Sequence, residues 1–127
     1  MMVEANGRSG KRVLVVDDLE EVRRLLMLLL EKAGHDVVGV ASGAEALAAL
    51  AAQDFDVALL DIRLPDIDGT ELARRIRADS SLAAIKLIAV TGDGHVIQEL
   101  RRDAGSFDDC ITKPFAPDDL FGKIASS

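Results

Sequence analysis

The sequence predicts an α/β protein, a doubly wound (βα)5 fold in which a five-stranded parallel sheet carries helices on both faces. The pattern along the chain points there. Short, β-branched apolar runs and amphipathic stretches alternate five times along the 127 residues. Strict alternation of this kind demands a parallel sheet covered on both sides, because each crossover carries the chain back over one face. Right-handed crossovers then leave few topologies. With no internal repeat, linker or low-complexity tract, the chain reads as one domain behind a mobile N-terminal tail over residues 1–10.

Residues 13–16, a Val-Leu-Val-Val run flanked by Lys11, Arg12, Asp17 and Asp18, form the first strand. Helical periodicity over residues 19–33 follows and stops at Gly34, a residue suited to a left-handed C′ position. At 100° per residue Val22, Leu25, Leu26, Leu29 and Ala33 fall on one stripe, while Met27 and Leu28 project away from it. Asp36–Val40 is the second strand. Ser42 and Glu45 stand at capping-box spacing before an Ala-rich second helix over residues 44–52.

The third strand covers residues 56–60 and ends at Asp61. A loop over residues 63–68 holds Pro65, and Asp68 is placed to cap a third helix, Gly69–Ala78. Residues 86–90 make the fourth strand, ending at Thr91 before Gly92-Asp93-Gly94, and a weaker amphipathic segment over 96–104 makes the fourth helix. A short fifth strand spans 110–112. Pro117 suits the first turn of a last helix over 118–124.

Composition narrows the function. Twenty-two acidic against fifteen basic residues give a formal charge of −7, which repels a nucleic-acid backbone and argues against direct DNA or RNA binding. The single cysteine, Cys110, cannot form an internal disulfide, in keeping with a reducing cytoplasm. No apolar run reaches the ~18 residues of a membrane span, and the first residues are too polar for a signal peptide. His35 and His95 each lack a second His or Cys at ligand spacing, so both read as structural or solvated.

In open parallel sheets ligands bind at the carboxyl ends of the strands, beside the topological switch point. Here those ends carry Asp17-Asp18, Asp61, Thr91 and Lys113-Pro114. Strand ends are loops, and some acids belong there. Three carboxylates in a partly desolvated crevice repel one another, however, unless a cation sits among them. Mg²⁺ takes oxygen ligands and keeps several waters, so two or three carboxylates suffice. A carboxylate beside Mg²⁺ can attack a phosphoryl group and become an acyl phosphate, with a lysine sharing the charge on the phosphoryl oxygens. Asp61, alone at its strand end, is the best nucleophile.

The Asp17-Asp18 pair, Asp61, Thr91 and Lys113-Pro114-Phe115, separated by 43, 30 and 22 residues from Asp18 onward, closely resemble a two-component response-regulator receiver domain. The resemblance runs from about residue 11 to 124 and assigns residues 11–127 to that domain. It implies the strand order 2-1-3-4-5 of a chemotaxis-type, flavodoxin-like receiver, a Mg²⁺ cofactor, and a phosphorylation-dependent signalling switch rather than an enzyme acting on others. By resemblance Asp61 is the phosphoacceptor, Asp18 a direct metal ligand, Asp17 the acid that holds metal-bound water, and the Arg63 backbone carbonyl a further ligand. Thr91 matches the switch hydroxyl and Lys113 the phosphate-pairing cation, and the Lys113–Pro114 peptide is expected cis.

Further expectations follow from the resemblance. A histidine kinase or histidine phosphotransfer protein is the implied donor, docking beside the first helix at Met27 and Leu28, unless these are merely scattered exposed apolar residues. Phosphorylation is expected to shift the surface of the fourth helix, fifth strand and fifth helix, with output by protein contact or onward phosphorelay. A receiver excised from a larger hybrid kinase or regulator would read identically. Arg63 and Asp93 border the acyl phosphate in the family; they are either solvated loop charges or a pair across the site that gates water. Cys110 stands where many receivers carry a bulkier switch residue, and Ser106 where a glycine usually precedes Phe107, so both depart from the pattern. The rival from another class is a magnesium phosphatase of the haloacid-dehalogenase type. That family wants a second Asp two residues past its nucleophile, where this chain has Arg63. A flavodoxin-like flavin site would want a Ser/Thr/Gly-rich loop after the first strand, which is missing here.

Overall fold

The computed structural model describes residues 10–102 and 106–125. Five parallel strands, β1 (Arg12–Val16), β2 (Asp36–Val40), β3 (Val57–Asp61), β4 (Lys86–Thr91) and β5 (Asp109–Thr112), pair in the order β2-β1-β3-β4-β5. The helices between and after them are α1 (Glu20–Lys32), α2 (Gly43–Ala52), α3 (Gly69–Ala78), α4 (Gly94–Arg102) and α5 (Pro117–Ala125), with a 3₁₀ turn at Ser80–Leu82. Of the expected tail only Gly10 is described, and it abuts the Gly34 backbone and the His35 ring. The expected last turn of the fourth helix, to Ala104, lies outside the described residues.

The period of two along the strands builds two cores. Val13, Val15, Val57, Leu59, Ile88 and Val90 face α1 and α5, where Leu26, Leu30, Leu120 and Ile124 complete a buried cluster. Leu14, Val16, Ala58, Leu60 and Leu87 face the other way, onto Ala46 and Leu50 of α2 and Leu72, Ala73 and Ile76 of α3. Strands buried on both faces explain why their sequences are continuously apolar rather than alternating.

Helix ends are built as the sequence suggests, with one change of detail. α1 closes in a Schellman motif: Gly34 adopts φ 96°, His35 N–H donates to the Leu30 carbonyl at 3.0 Å, and Gly34 N–H donates to that of Glu31 at 3.0 Å. Ser42 Oγ accepts the Glu45 N–H at 3.2 Å, but the Glu45 carboxylate accepts from Ala41 rather than from Ser42, at 2.7 Å. Asp68 accepts the Thr70 N–H at 2.9 Å, and Pro117 is the first residue of α5.

The face of α1 differs from the one expected. Leu26 and Leu30 are buried, whereas Leu25 is 48% exposed and Leu28 53% exposed. Met27, expected to project outward with Leu28, is instead half-buried against the α1/α5 core. The cause lies on β2: a Cβ at Gly39 would sit 2.3 Å from the Met27 sulfur, so the missing side chain is the space into which Met27 folds.

Candidate functional site

Register brings the acids together. β1 and β3 pair in parallel with Val16 opposite Leu60, so the next step places Asp17 beside Asp61, both in line with the α1/α5-facing residues of their strands. Asp18 follows at the mouth of the crevice. Among the described residues, Asp17, Asp18 and Asp61 each offer a carboxylate oxygen within 4.8 Å of the others. Asp17 is 1% exposed and Asp61 7%, while Asp18 is exposed.

The next two strands supply the remaining groups. Thr91 ends β4 and is buried at the rim. Its carbonyl accepts the Lys113 N–H at 2.9 Å, which fixes where the chain leaves β5. Lys113 then reaches back across the strand ends: its Nζ lies 3.1 Å from Asp17 Oδ2 and 3.7 Å from Asp61 Oδ2. The Lys113–Pro114 peptide is cis, as the resemblance implied.

The turns hold the acids in place. Asp17 Oδ1 accepts the Leu19 N–H at 3.0 Å, and Arg23 Nη1 donates to the Asp17 carbonyl at 2.9 Å. Asp61 Oδ1 accepts the Arg63 N–H at 3.3 Å. Gly69 has no room for a side chain, since a Cβ would lie 2.4 Å from the Asp61 carbonyl oxygen and 2.7 Å from Ile62 Cα. Its N–H donates to Ile62 O at 2.7 Å, so the start of α3 is pressed against the end of β3.

Electrostatics sets Asp61 apart. Burial raises its carboxyl above the ordinary range; Lys113 pulls it back, and the negative charges of Asp17 and Asp18 push it further up. One lysine therefore leaves the cluster under-compensated. An oxygen-only donor set with surplus negative charge and an open side fits a hard divalent cation such as Mg²⁺.

Arg63 and Asp93 meet over this crevice, with Nη2 2.5 Å from Oδ2. Asp93 is also anchored by the N–H groups of Val96 and His95, which together with Arg63 hold its carboxyl below the usual value. The open cleft of about 500 Å³ is lined by Asp18, Asp61, Arg63, Thr91 and Lys113, together with Leu19, Gly92 and Asp93. Cys110 is half-buried on β5, beside Leu100, Phe107 and Lys123, away from the cleft. His35 is structural, its Nδ1 accepting the Lys11 N–H at 2.9 Å, and His95 is exposed.

The model of the response regulator receiver domain matches residues 13–125. The chain belongs to the response-regulator receiver family. Among curated relatives, the transcriptional regulatory protein GltR of Pseudomonas aeruginosa is 38% identical over 122 residues, covering 96% of this chain and 49% of that protein. The sensor kinase/phosphatase CqsS of Vibrio cholerae is 34% identical over 120 residues, 94% of this chain and 18% of the kinase. The chain thus spans about half the length of the transcriptional regulators it matches and a smaller share of the kinase. Of solved structures, the chemotaxis response regulator CheY4 of Vibrio cholerae superposes with TM-score 0.84 at 27% identity, covering 93% of this chain and 98% of that one. The receiver domain of a Pseudomonas aeruginosa sensor histidine kinase, which holds a magnesium ion in its active-site cleft, superposes with TM-score 0.82 at 30% identity, covering 93% and 97%.

The receiver's acids, Thr91 and Lys113 therefore converge as the sequence suggested, and Arg63 and Asp93 form the pair. Sequence reading did not find Arg23, whose bond to the Asp17 carbonyl ties the first strand's end to α1. No local motif announces it; its six-residue offset from Asp17, one turn into a helix, is the only signal.

Proposed function

We propose that the cleft is a phosphoacceptor site, in which Asp61 takes a phosphoryl group from a phosphohistidine on a histidine kinase or histidine phosphotransfer protein. The observation that carries this reading is the placement of Lys113 Nζ between Asp17 and a buried, under-compensated Asp61. An Asp61 oxygen attacks phosphorus in line with the departing imidazole nitrogen; the P–O bond forms as the P–N bond breaks, and the imidazole leaves with its own proton. No general acid is needed for such a leaving group.

Asp18, Asp61 and the Arg63 backbone carbonyl would hold Mg²⁺ directly, with Asp17 holding its water. When bound, Mg²⁺ supplies positive charge to the phosphoryl oxygens. Lys113 neutralises a second phosphoryl oxygen, and Thr91 turns its hydroxyl to donate to a third. The magnesium in the Pseudomonas kinase receiver supports the assignment by analogy. The Arg63–Asp93 pair spans the mouth and limits the approach of water to the acyl phosphate. Phosphorylation then biases α4, β5 and α5 towards a second arrangement that a partner protein reads. Cys110, too small to swing as an aromatic would, borders a hollow of about 140 Å³ on that surface, so the usual relay from Thr91 to an aromatic side chain has no counterpart at this position. The chain acts as a switch that catalyses only its own phosphorylation and dephosphorylation.

Intact-mass spectrometry with Mg²⁺ and a small phosphodonor tests the reading. A single phosphoryl adduct on the wild type, absent from Asp61→Asn, is expected; an adduct that survives Asp61→Asn overturns it. Catalytic turnover of small phosphate esters would favour the phosphatase class instead.

A further inference from the structure

The loop between β3 and α3 is tied to a different element. Asp66 Oδ1 accepts the Gly43 N–H at 2.9 Å and its Oδ2 accepts the Ala44 N–H at 2.9 Å. These are the first two amides of α2, which no carbonyl within that helix can satisfy. The cap of α2, Ser42, reaches a different amide, that of Glu45. Asp66 therefore closes a set that α2 leaves open, and does so from a loop more than twenty residues along the chain.

An apolar contact lies beside the polar one. A Cβ on Gly43 would fall 2.1 Å from Ile67 Cγ2, so the loop seats its isoleucine on a bare stretch of helix backbone. Elsewhere the loop closes on itself, through the Arg63–Asp68 bridge and the Gly69 N–H to Ile62 O bond. Arg63, at the other end of the same short loop, donates its N–H to Asp61 and lines the cleft. Asp66 and Ile67, with Leu64 packed on the same core, thus hold this loop to the body of the fold on the α2 side, and Asp66 alone does so through hydrogen bonds to the first amides of α2.

We infer that Asp66 is a positioning residue for the metal site, fixing through the first two amides of α2 the loop that presents the Arg63 backbone to the cleft. The inference rests on the phosphoacceptor reading. Charge-assisted bonds at a helix N-terminus are well suited to the task, being short, directional and favoured by the dipole. The Gly43 and Ala44 amides keep the Asp66 carboxyl below its ordinary value, so it stays anionic. Coupling of this kind is reciprocal: a cation that steadies the loop also steadies the first turn of α2.

The test uses the full chain and Mg²⁺ alone, titrated by calorimetry into wild type, Asp66→Ala, Asp66→Asn, Ser42→Ala and Asp18→Asn. Asp66→Ala is expected to bind Mg²⁺ about five- to tenfold more weakly. Asp66→Asn keeps one acceptor and falls between, which also serves if the alanine variant does not fold. Ser42→Ala weakens the same end of α2 without touching the loop and keeps the wild-type affinity to within about twofold. Saturating Mg²⁺ slows amide exchange at Gly43 and Ala44 in the wild type and not in the Asp66 variants. Wild-type affinity in folded Asp66 variants, or an equal loss in Ser42→Ala, overturns the inference and leaves the phosphoacceptor reading intact. A wild type that binds no Mg²⁺, or binding that survives Asp18→Asn, overturns both.

Discussion

Asp61 carries an electrostatic cost that the fold imposes and that a cation relieves. In the unfolded chain its carboxyl ionises near the ordinary value. In the folded chain burial, Asp17 and Asp18 hold the proton to higher pH despite Lys113. The folded state therefore loses stability as pH rises from the unfolded to the folded value, and the ionised group remains a burden at neutral pH. Asp61→Asn should be more stable than wild type at pH 7 in urea melts without Mg²⁺, with the gap narrowing towards about pH 4. Equal curves at pH 7 would contradict this. His35 has the opposite sense: burial and Lys11 lower its value, so the Lys11 N–H bond is intact above the unfolded value and lost as pH falls through the folded one. The Arg63–Asp93 pair makes a kinetic prediction. Arg63→Ala and Asp93→Ala together should shorten the life of the phosphorylated form several-fold while leaving its attachment point unchanged, as read by loss of the mass adduct over time.

At the level of elements, the strands and caps were legible because each has a local cause. Asp36–Val40 and Gly69–Ala78 fall where β-branched runs and an N-cap aspartate put them. The face of α1 was not, because Leu25-Leu26-Met27-Leu28-Leu29-Leu30 is apolar all round and has no phase of its own. A strand neighbour decides it: the gap above Gly39 draws Met27 inward, and Leu25 and Leu28 are left outside. The site's acids were legible in kind and order, whereas their scaffolding, Arg23 and Asp66, bonds across elements and leaves no local signature. Gly69 is the element-scale test. Its Cα meets the end of β3 so closely that Gly69→Ala should displace the start of α3, cost about 1–3 kcal/mol in urea melts, and slow phosphorylation of Asp61.

Across the whole molecule, two cores on opposite faces of one sheet share strands β1 to β4, so damage to either is felt at the strand ends. Leu26→Ala, emptying a buried position on the α1 side, should cost about 2–5 kcal/mol. Ligand linkage works in the other direction. Mg²⁺ at ten times its dissociation constant should add about 1.4 kcal/mol, roughly 5 °C in Tm, and the gain should vanish in Asp18→Asn. A thermal scan with and without the ion reads both.

The pairing of β1 with β3 has a consequence for which changes of length the chain tolerates. Asp17 stands beside Asp61 because the ladder is in step up to Val16 and Leu60. One residue inserted between Val13 and Val16 would move every later side chain of the strand to the opposite face, pushing Asp17 out to the exposed place Asp18 now holds and turning a valine towards Lys113. The same insertion beside Gln53, ahead of Phe55 on the α2/α3 core and of the Asp56 bonds to Arg12 and Lys86, would be absorbed without moving any acid of the cleft. Length changes should therefore survive in the turns at the amino ends of the strands and be lethal inside them, so the chemistry is guarded by counting as much as by residue type.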